Sequence, residues 1–299
     1  MSMRIIKAVV IPEDAGRKLK YYVRGAMGVS YTQYASLKQV GGVRVNGRAA
    51  HANDILRAGD VVELTLAEKA REPIAPDFSP VNVVYEDDDL LVIDKPAPLA
   101  CQVSAKQDAP TLENRLAARF GPDFLFRPLN RLDRGTSGLL CAAKNAHACQ
   151  ILQKKLHTGD FVREYRAVVC GSLAGEGVID LPIEKADAAS IRRVIDPVNG
   201  KRSVTHWRAL GVFGAYSLIA LTLETGRTHQ IRVHMAAIGH PVAGDFLYGT
   251  ELPSLPGRFA LHSARLAVAH PMTDIMIDVK SPLPPELFAL IHETKENDI

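Results

Sequence analysis

Long hydrophobic runs are missing from this chain of 299 residues. No apolar stretch approaches the roughly 20 residues that a membrane-spanning helix needs. The N-terminus also lacks the basic, apolar and small-residue regions of a secretory signal peptide. Apolar residues make up 47% of the chain and charged residues 23%, which is typical of a folded globular protein. We therefore expect a cytoplasmic protein without a membrane partner, folded as one large domain or as two.

Cysteine is scarce in this chain. The four cysteines, Cys101, Cys141, Cys149 and Cys170, form no Cys-x-x-Cys pair and no zinc-finger spacing. We expect reduced, buried thiols, and neither a metal site nor a disulfide is implied. A Gly-x-Gly-x-x-Gly-like cofactor loop after a strand is also missing, which argues against an RNA methyltransferase.

A strong net charge is absent too, but the charge of +3 is unevenly distributed. Residues 1–70 contain 11 basic and 6 acidic side chains, a balance of +5, whereas the rest contains 25 and 27, a balance of −2. A basic appendage on a near-neutral catalytic body would give this pattern, because lysine and arginine contacts to phosphate supply sequence-independent affinity. A solvated surface with a random excess of lysine explains it equally well.

Three prolines fall within residues 71–80, and proline both lacks an amide donor and pushes its predecessor toward extended geometry. This segment is predicted to link an N-terminal domain, residues 1–70, to a second domain, residues 81–299. In the first domain, Arg44 and Arg48 flank an Asn-Gly turn of the kind that joins two strands. Two helices and a small sheet studded with arginine suit a compact RNA-docking module.

The predicted elements favour the α+β class. Helices are predicted at about 16–26, 31–39, 111–120, 146–157, 229–238 and 285–291, and strands at 43–45, 61–66, 83–85, 90–93, 139–143, 164–170, 207–210, 216–224 and 260–268. Strands follow one another with interspersed helices but without regular alternation. We therefore predict a mixed, mostly antiparallel central sheet with flanking helices.

One segment, residues 131–138, places Asp133 between Arg131 and Arg134 and ends in turn residues before an apolar strand. A nearby cation favours the ionised carboxylate, so Asp133 would be a ready nucleophile or base at neutral pH. Taken by itself, this pattern favours an aspartate that caps a turn and pairs with arginine at the surface.

A second dense segment, residues 224–234, is predicted to begin a helix near Thr228. Helical spacing then places Arg232 at the edge of the core, where it could reach a carboxylate with reduced screening. The five-residue spacing of His229 and His234 does not put both rings on one helical face, so local hydrogen bonding is favoured over metal ligation. A third segment contains Tyr165, which composition statistics favour as a half-buried strand aromatic over a base-stacking platform.

Taken together, these segments resemble the RluA family of pseudouridine synthases. The resemblance is carried, in family order, by residues 85–96, 131–138, 164–167, 225–234, 239–245, 248–249 and 261–266. It covers residues 80 to 285. Residues 1–70 are similar to the S-four class of small RNA-binding domain that occurs in ribosomal proteins and is often fused to these synthases.

The resemblance implies the pseudouridine synthase fold and cofactor-free isomerisation of uridine in structured RNA. It makes Asp133 the nucleophile toward the ribose glycosidic carbon or the uracil ring, Tyr165 the wall on which the flipped base stacks, and Arg232 the cation that keeps Asp133 ionised. RNA contacts are predicted for Arg131, Arg134, Arg227, His229, Arg44 and Arg48. Large-subunit ribosomal RNA is the first choice of substrate and transfer RNA the second, and a monomer is expected.

Three positions depart from the family pattern: Asn130 stands where the family usually has histidine, Pro98 where it tends to have glycine, and Arg163 where it tends to have lysine. Asparagine can donate a hydrogen bond but cannot carry charge. Two other interpretations remain open, a non-catalytic RNA-binding assembly factor and a metal-dependent nuclease using His229, His234 and Asp245. A chelator would abolish the activity of such a nuclease.

Overall fold

The computed structural model describes residues 3–29, 31–67, 73–104, 109–156, 158–187 and 189–292. The helices are α1 (Leu19–Gly25), α2 (Tyr31–Gln39), α3 (Leu112–Phe120), α4 (Ala146–Lys155), α5 (Gln230–Ala237) and α6 (Pro285–Ala289). The strands are β1 (Met3–Val9), β2 (Val43–Val45), β3 (Arg48–Ala49), β4 (Val61–Ala67), β5 (Asn82–Glu86), β6 (Leu90–Lys95), β7 (Arg127–Pro128), β8 (Ser137–Ala143), β9 (Phe161–Cys170), β10 (Glu176–Asp180), β11 (Ile183–Lys185), β12 (Arg193–Ile195), β13 (Val204–Phe213), β14 (Tyr216–Leu223), β15 (Leu261–Ala269) and β16 (Met276–Lys280).

The N-terminal part of the chain forms its own sheet, in the order β1-β4-β2-β3. The predicted Asn-Gly turn joins β2 to β3, with φ of 50° at Asn46 and 75° at Gly47, the left-handed geometry that this pair of residues tolerates best. Helix α1 begins at Leu19, later than predicted, because Gly16 has a φ of 84° and Lys18 is extended. Both helices bury apolar side chains against this sheet.

A second, ten-stranded sheet runs in the order β10-β13-β14-β9-β15-β8-β6-β5, with β16 beside β15 and β7 beside β8. Strands β8 and β15 pair in parallel, and the other pairs of this sheet are antiparallel. The predicted α+β class with a mixed, mostly antiparallel sheet is therefore confirmed. Six strands were not predicted from the sequence: β1, the two-residue β7, the short β10, β11 and β12, and β16.

Strand β8 follows the turn that contains Asp133, and every residue of β8 is buried. Leu140 and Ala142 belong to one apolar core, while Leu139 and Cys141 belong to another. Since alternate residues of a strand point to opposite faces, both faces of β8 are covered by core. The turn that precedes β8 is thus anchored in the centre of the protein.

The described part of the predicted linker, residues 73–80, has no regular secondary structure and packs along α3. The Asn114 side-chain amide donates to the Ala75 carbonyl at 2.8 Å, and Arg115 forms an ion pair with Asp77 at 3.1 Å. The backbone amide of Ile74 donates to Pro122 at 3.2 Å. Residues 71 and 72 of the predicted linker lie outside the described residues. The rest of the segment is held against α3.

Two of the four cysteines have the predicted burial. Cys101 and Cys141 are buried free thiols as expected, whereas Cys149 and Cys170 are only half-buried. Within the described residues, no helix combines the length and the apolar character needed to cross a membrane.

Candidate active site

Asp133 lies in the tight turn between β7 and β8, with its side chain 26% exposed. Its carbonyl accepts the Thr136 amide at 3.1 Å, which closes the turn. Gly135 packs so closely on Phe259 that a β-carbon there would lie 2.6 Å from the ring, and one at Gly138 would lie 2.3 Å from the Ser263 carbonyl. Because the two glycines have no side chains, the backbone packs closely against Phe259 and Ser263 while the Asp133 carboxylate stays partly exposed to solvent.

Arg232 on α5 is held between two carboxylates and is 2% exposed. Its Nη1 donates to Asp133 at 3.0 Å, while Nε and Nη2 donate to the buried Asp245 at 2.6 and 2.8 Å. Burial by itself would lower the pKa of Arg232, but the hydrogen bonds and charges of Asp245 and Asp133 outweigh it and raise that pKa. The guanidinium is therefore a fixed positive charge 3.0 Å from the Asp133 carboxylate.

Asp245 is the main partner of Arg232 that sequence reasoning did not assign. It is fully buried, and its Oδ1 also accepts the backbone amides of Leu247 and Tyr248 at 2.9 and 3.2 Å. The guanidinium carbon of Arg232 lies 4.0 Å from the centroid of the Phe259 ring and 5.0 Å from that of Tyr248. A bidentate carboxylate and aromatic faces together fix the orientation of Arg232.

His229 lies next to this pair and immediately precedes α5, so the cap position is one residue later than the predicted cap Thr228. It is the N-cap residue in the left-handed conformation, with a φ of 59°. The Tyr248 hydroxyl accepts the Arg193 amide at 2.7 Å and forms a second hydrogen bond, of 2.8 Å, with His229 Nδ1. The other ring nitrogen of His229, Nε2, lies 3.9 Å from Asp133 Oδ2.

A cavity of about 620 Å³ connects the predicted site residues. Asp133, Tyr165 and Arg232 line it together with His229, and Arg131, Arg134 and Arg227 also belong to its wall. Tyr165 is more buried than predicted, at 5% exposed, and burial raises the pKa of its phenol. Arg131, Arg134 and Arg227 are exposed. Arg44 and Arg48 are exposed on the N-terminal sheet and do not line this cavity.

Asn130 and Lys95 brace the loops around Asp133. The Asn130 side chain is buried, and its Oδ1 accepts the Cys141 amide of β8 at 2.8 Å. Lys95 is fully buried and donates to the Leu99 carbonyl at 2.7 Å, and burial lowers its pKa to about 8. The Leu99 amide in turn donates to the Arg134 carbonyl at 2.9 Å. Asparagine at position 130 therefore serves as a positioning amide, a task that needs no charge.

The ligand set of the nuclease interpretation is not assembled. His234 is buried on the far side of α5, where it contacts Thr205 and the Leu181 carbonyl at 2.9 Å each, while Asp245 is occupied by Arg232. The two histidines thus face different surroundings, as their spacing predicted.

A separate cluster is formed by Asp87, Asp89 and His270, whose potential ligand atoms lie within 4.8 Å of one another, close enough to share a metal ion. His270 Nδ1 accepts the backbone amides of Met272 and Thr273 at 3.2 Å, so Nε2 carries the hydrogen, and Nε2 lies 3.0 Å from Asp87 Oδ2. Because neither ring nitrogen has a free lone pair, this cluster is a hydrogen-bonded turn rather than a cation site.

We expect stability to fall on mild acidification because of the buried histidines. Burial lowers the pKa of His229, His234 and His262 below the ordinary value of 6.5. The unfolded chain therefore binds more protons than the folded chain just below pH 6.5, and the free energy of unfolding decreases as the pH falls through that range. Each such histidine contributes up to about 1.4 kcal/mol per pH unit.

Denaturant unfolding at about pH 7.5 and 5.5 measures this effect. His234→Gln keeps a donor for Leu181 and an acceptor for Thr205 but does not titrate, so it should flatten the pH dependence. His51→Gln, at an exposed position, should leave it unchanged. An unaltered pH dependence in the His234 variant would contradict the neutral, buried assignment.

Comparison with known proteins places the chain in a family. A family model described as RNA pseudouridylate synthase matches residues 89–237. A Xanthomonas campestris protein named ribosomal large subunit pseudouridine synthase D is 35% identical, over 98% of this chain and 93% of its own length. A Bacillus subtilis protein named uncharacterized RNA pseudouridine synthase YlyB is 37% identical, over 90% of each chain.

The solved structure of human RNA pseudouridylate synthase domain containing 1 covers 74% of this chain and 97% of its own, with a TM-score of 0.55 and 26% identity. The fold and the sequence relationships thus define the same class of enzyme. The chain belongs to the pseudouridine synthase family, of the RluA type, and is an RNA pseudouridine synthase.

Proposed function

We propose that this enzyme isomerises specific uridines of large-subunit ribosomal RNA, with Asp133 as the nucleophile. One observation carries the assignment of Asp133: its carboxylate lies 3.0 Å from a guanidinium that a second, fully buried carboxylate fixes in place. An ionised aspartate in a cavity, with its counter-charge held by other groups, is free to attack a substrate carbon. No cofactor is needed in this proposal.

Arg232 orients the Asp133 carboxylate and supplies its counter-charge. Because Nε and Nη2 bind Asp245, only Nη1 is directed at Asp133, on Oδ2. The other carboxylate oxygen of Asp133 has no hydrogen bond from the described side chains and is available for the reaction. This division of contacts suits a nucleophile better than a bidentate pair with Asp133 would, since a bidentate pair engages both oxygens.

Tyr165 supplies the wall for the target base. A uracil in folded RNA is reachable only after it is flipped out of its stack, and stacking on an aromatic ring offsets part of that cost. The cavity of about 620 Å³ lies within the size range of small-ligand pockets. The exposed Arg131, Arg134 and Arg227 are placed to bind the RNA backbone beside it.

The N-terminal residues 1–70 are proposed as an S-four-like RNA-binding domain, joined by the linker 71–80 to the catalytic domain 81–299. Its support is a separate apolar core, a separate sheet and the positive balance of its charges. Arg44 and Arg48 both lie exposed at one hairpin of that sheet. The cytoplasmic location and the monomeric state also remain predictions.

We expect Arg44→Ala combined with Arg48→Ala to weaken RNA binding without changing the rate at saturating enzyme. Each lost phosphate contact should reduce the slope of log K against log salt by about 1. Binding titrations over a salt series measure this slope, with Lys154→Ala on an exposed face of α4 as the matched control. An unchanged slope in the double variant would place RNA binding elsewhere.

The choice of substrate is tested with unmodified transcripts that carry tritium at the fifth carbon of uracil. Isomerisation joins that carbon to the ribose and releases its hydrogen, so each turnover releases label. We expect release from large-subunit ribosomal RNA and none from transfer RNA. Release of label from transfer RNA only would mean that transfer RNA, and not large-subunit ribosomal RNA, is the substrate. Release from neither RNA would refute the proposed activity on these substrates.

A further inference from the structure

Arg163 is a buried cation that forms no ion pair with any residue that the structure describes. Its side chain is 9% exposed, and no acceptor for its nitrogens is present among the residues that the structure describes. Its Nε is completely enclosed. The guanidinium carbon lies 5.5 Å from the centroid of the Phe161 ring. Burying an unpaired charge is unfavourable, so this arrangement suits a residue whose partner arrives with the substrate.

Strand β9 directs Arg163 into the catalytic cavity. Burial alternates along β9, and Arg163 lies on the same buried face as Tyr165, two residues further on. Both side chains line the cavity that contains Asp133. Across the cavity wall, a β-carbon at Gly226 would lie 3.2 Å from Arg163 Nη1. The guanidinium is therefore confined between an aromatic ring and a main-chain segment, beside the proposed wall for the base.

We propose that Arg163 is a catalytic residue that stabilises negative charge on a ring oxygen of the target uracil. This inference rests on the proposed function. If Asp133 attacks the ribose, its oxygen bonds to C1′ as the C1′–N1 bond breaks, and the electron pair is delocalised over N1, O2 and O4 of uracil. If Asp133 attacks C6, the pair of the C5–C6 double bond moves onto O4. In both cases a uracil oxygen becomes anionic.

The balance of the reaction is the same by either route. C5 becomes bonded to C1′, the carboxylate of Asp133 is regenerated, C5 loses its proton and N1 gains one. The anionic uracil is present only during this sequence. A preformed cation in a site shielded from water stabilises such transient charge without having to reorganise.

The position of Arg163 favours the base over a phosphate. Arg131, Arg134 and Arg227, also in the cavity wall, are exposed and suit the permanently charged backbone. Arg163 is buried beside Tyr165. A phosphate contact would form equally in the ground state and the transition state and would change binding, whereas a contact to developing charge changes the rate.

The test measures the single-turnover rate, with C5-labelled RNA at saturating enzyme, and the RNA Kd for a set of variants. Arg163→Met should lower the rate about 10²- to 10³-fold while leaving Kd within about threefold. Arg163→Lys keeps the charge and should stay within about tenfold of the wild-type rate. Arg166→Met, on the opposite face of β9, is the matched control and should be close to wild type.

Stability separates a catalytic role from a structural one. Because no described residue forms an ion pair with Arg163, Arg163→Met should keep or raise the thermal midpoint while it slows the reaction. Gly226→Ala provides a second probe, because its methyl group presses on Nη1. It should slow the wild-type enzyme but have no further effect in the Arg163→Met background.

Three results would overturn the inference while the wild-type enzyme still releases label. The first is an Arg163→Met variant with the wild-type rate and the wild-type RNA Kd. The second is a lower thermal midpoint with a rate loss that unfolding explains. The third is an unchanged rate with a raised RNA Kd, which would assign Arg163 to a phosphate. If the wild-type protein itself released no label from any RNA, the proposed function would fail before Arg163 was tested.

Discussion

We expect Asp133→Asn to lower the single-turnover rate by on the order of 10⁴-fold or more, while RNA binding stays within about threefold of wild type. The substitution keeps the size of the side chain and an acceptor for Arg232 Nη1. It removes the negative charge and with it the nucleophile. Rates of label release at saturating enzyme, together with binding titrations, measure the two effects separately.

The matched control for this variant is Asp123→Asn, at an exposed position outside the cavity. It makes the same chemical change and should leave both quantities unaltered. Retained turnover in the Asp133 variant would refute the assignment of the nucleophile. Lost RNA binding would show instead that Asp133 organises the binding surface.

The second large effect is expected for Arg232→Met, which should destabilise the fold and stop turnover together. Asp245 is fully buried, and without the guanidinium its charge has no counter-ion among the described residues. Removing one partner of a buried ion pair costs about 3–5 kcal/mol of stability. Asp133 loses its fixed cation in the same step. Denaturant unfolding and single-turnover rates measure the two losses.

A double variant separates the loss of stability from the loss of turnover. Arg232→Met with Asp245→Asn removes the stranded charge, so part of the lost stability should return. Turnover should not return, because Asp133 still has no fixed counter-charge. Recovery of turnover in the double variant would mean that Arg232 serves only to neutralise Asp245 and contributes nothing to Asp133.

Local signals in the sequence predicted most of the elements that hold the site. Helix α2 has its predicted bounds, and Thr111 caps α3 as expected, accepting the Asn114 amide. The Asn-Gly turn is present because its two residues tolerate positive φ. The missed strands β10, β11 and β12 are only three to five residues long, which leaves too little of an alternating pattern to recognise.

The site itself was predictable in part. Asp133 and Arg232 are 99 residues apart, and their pairing was expected from the family resemblance rather than from either local segment. The role of Asp245 depends on a turn that folds back onto α5, and that of Phe259 on the close packing of Gly135. Such contacts arise from tertiary structure, so the local spacing of residues in the sequence does not predict them.

The exposure of individual side chains was the least predictable property. Tyr165 was expected to be half-buried and is almost fully buried, because β9 lies between β14 and β15 near the middle of the large sheet. The same placement buries Arg163. A lysine or arginine at a strand start is usually solvated, and only the position of the strand in the sheet reveals otherwise.

The most direct test of the proposed reaction is the mass of a ribosomal RNA fragment made with deuterium at the fifth carbon of every uracil. After incubation with the wild-type enzyme, we expect one deuterium to be replaced by hydrogen at a single nucleotide, with the chain intact and no group added. An unchanged mass would contradict the proposed activity on this RNA. A cleaved strand or an added methyl group would contradict the reaction type altogether.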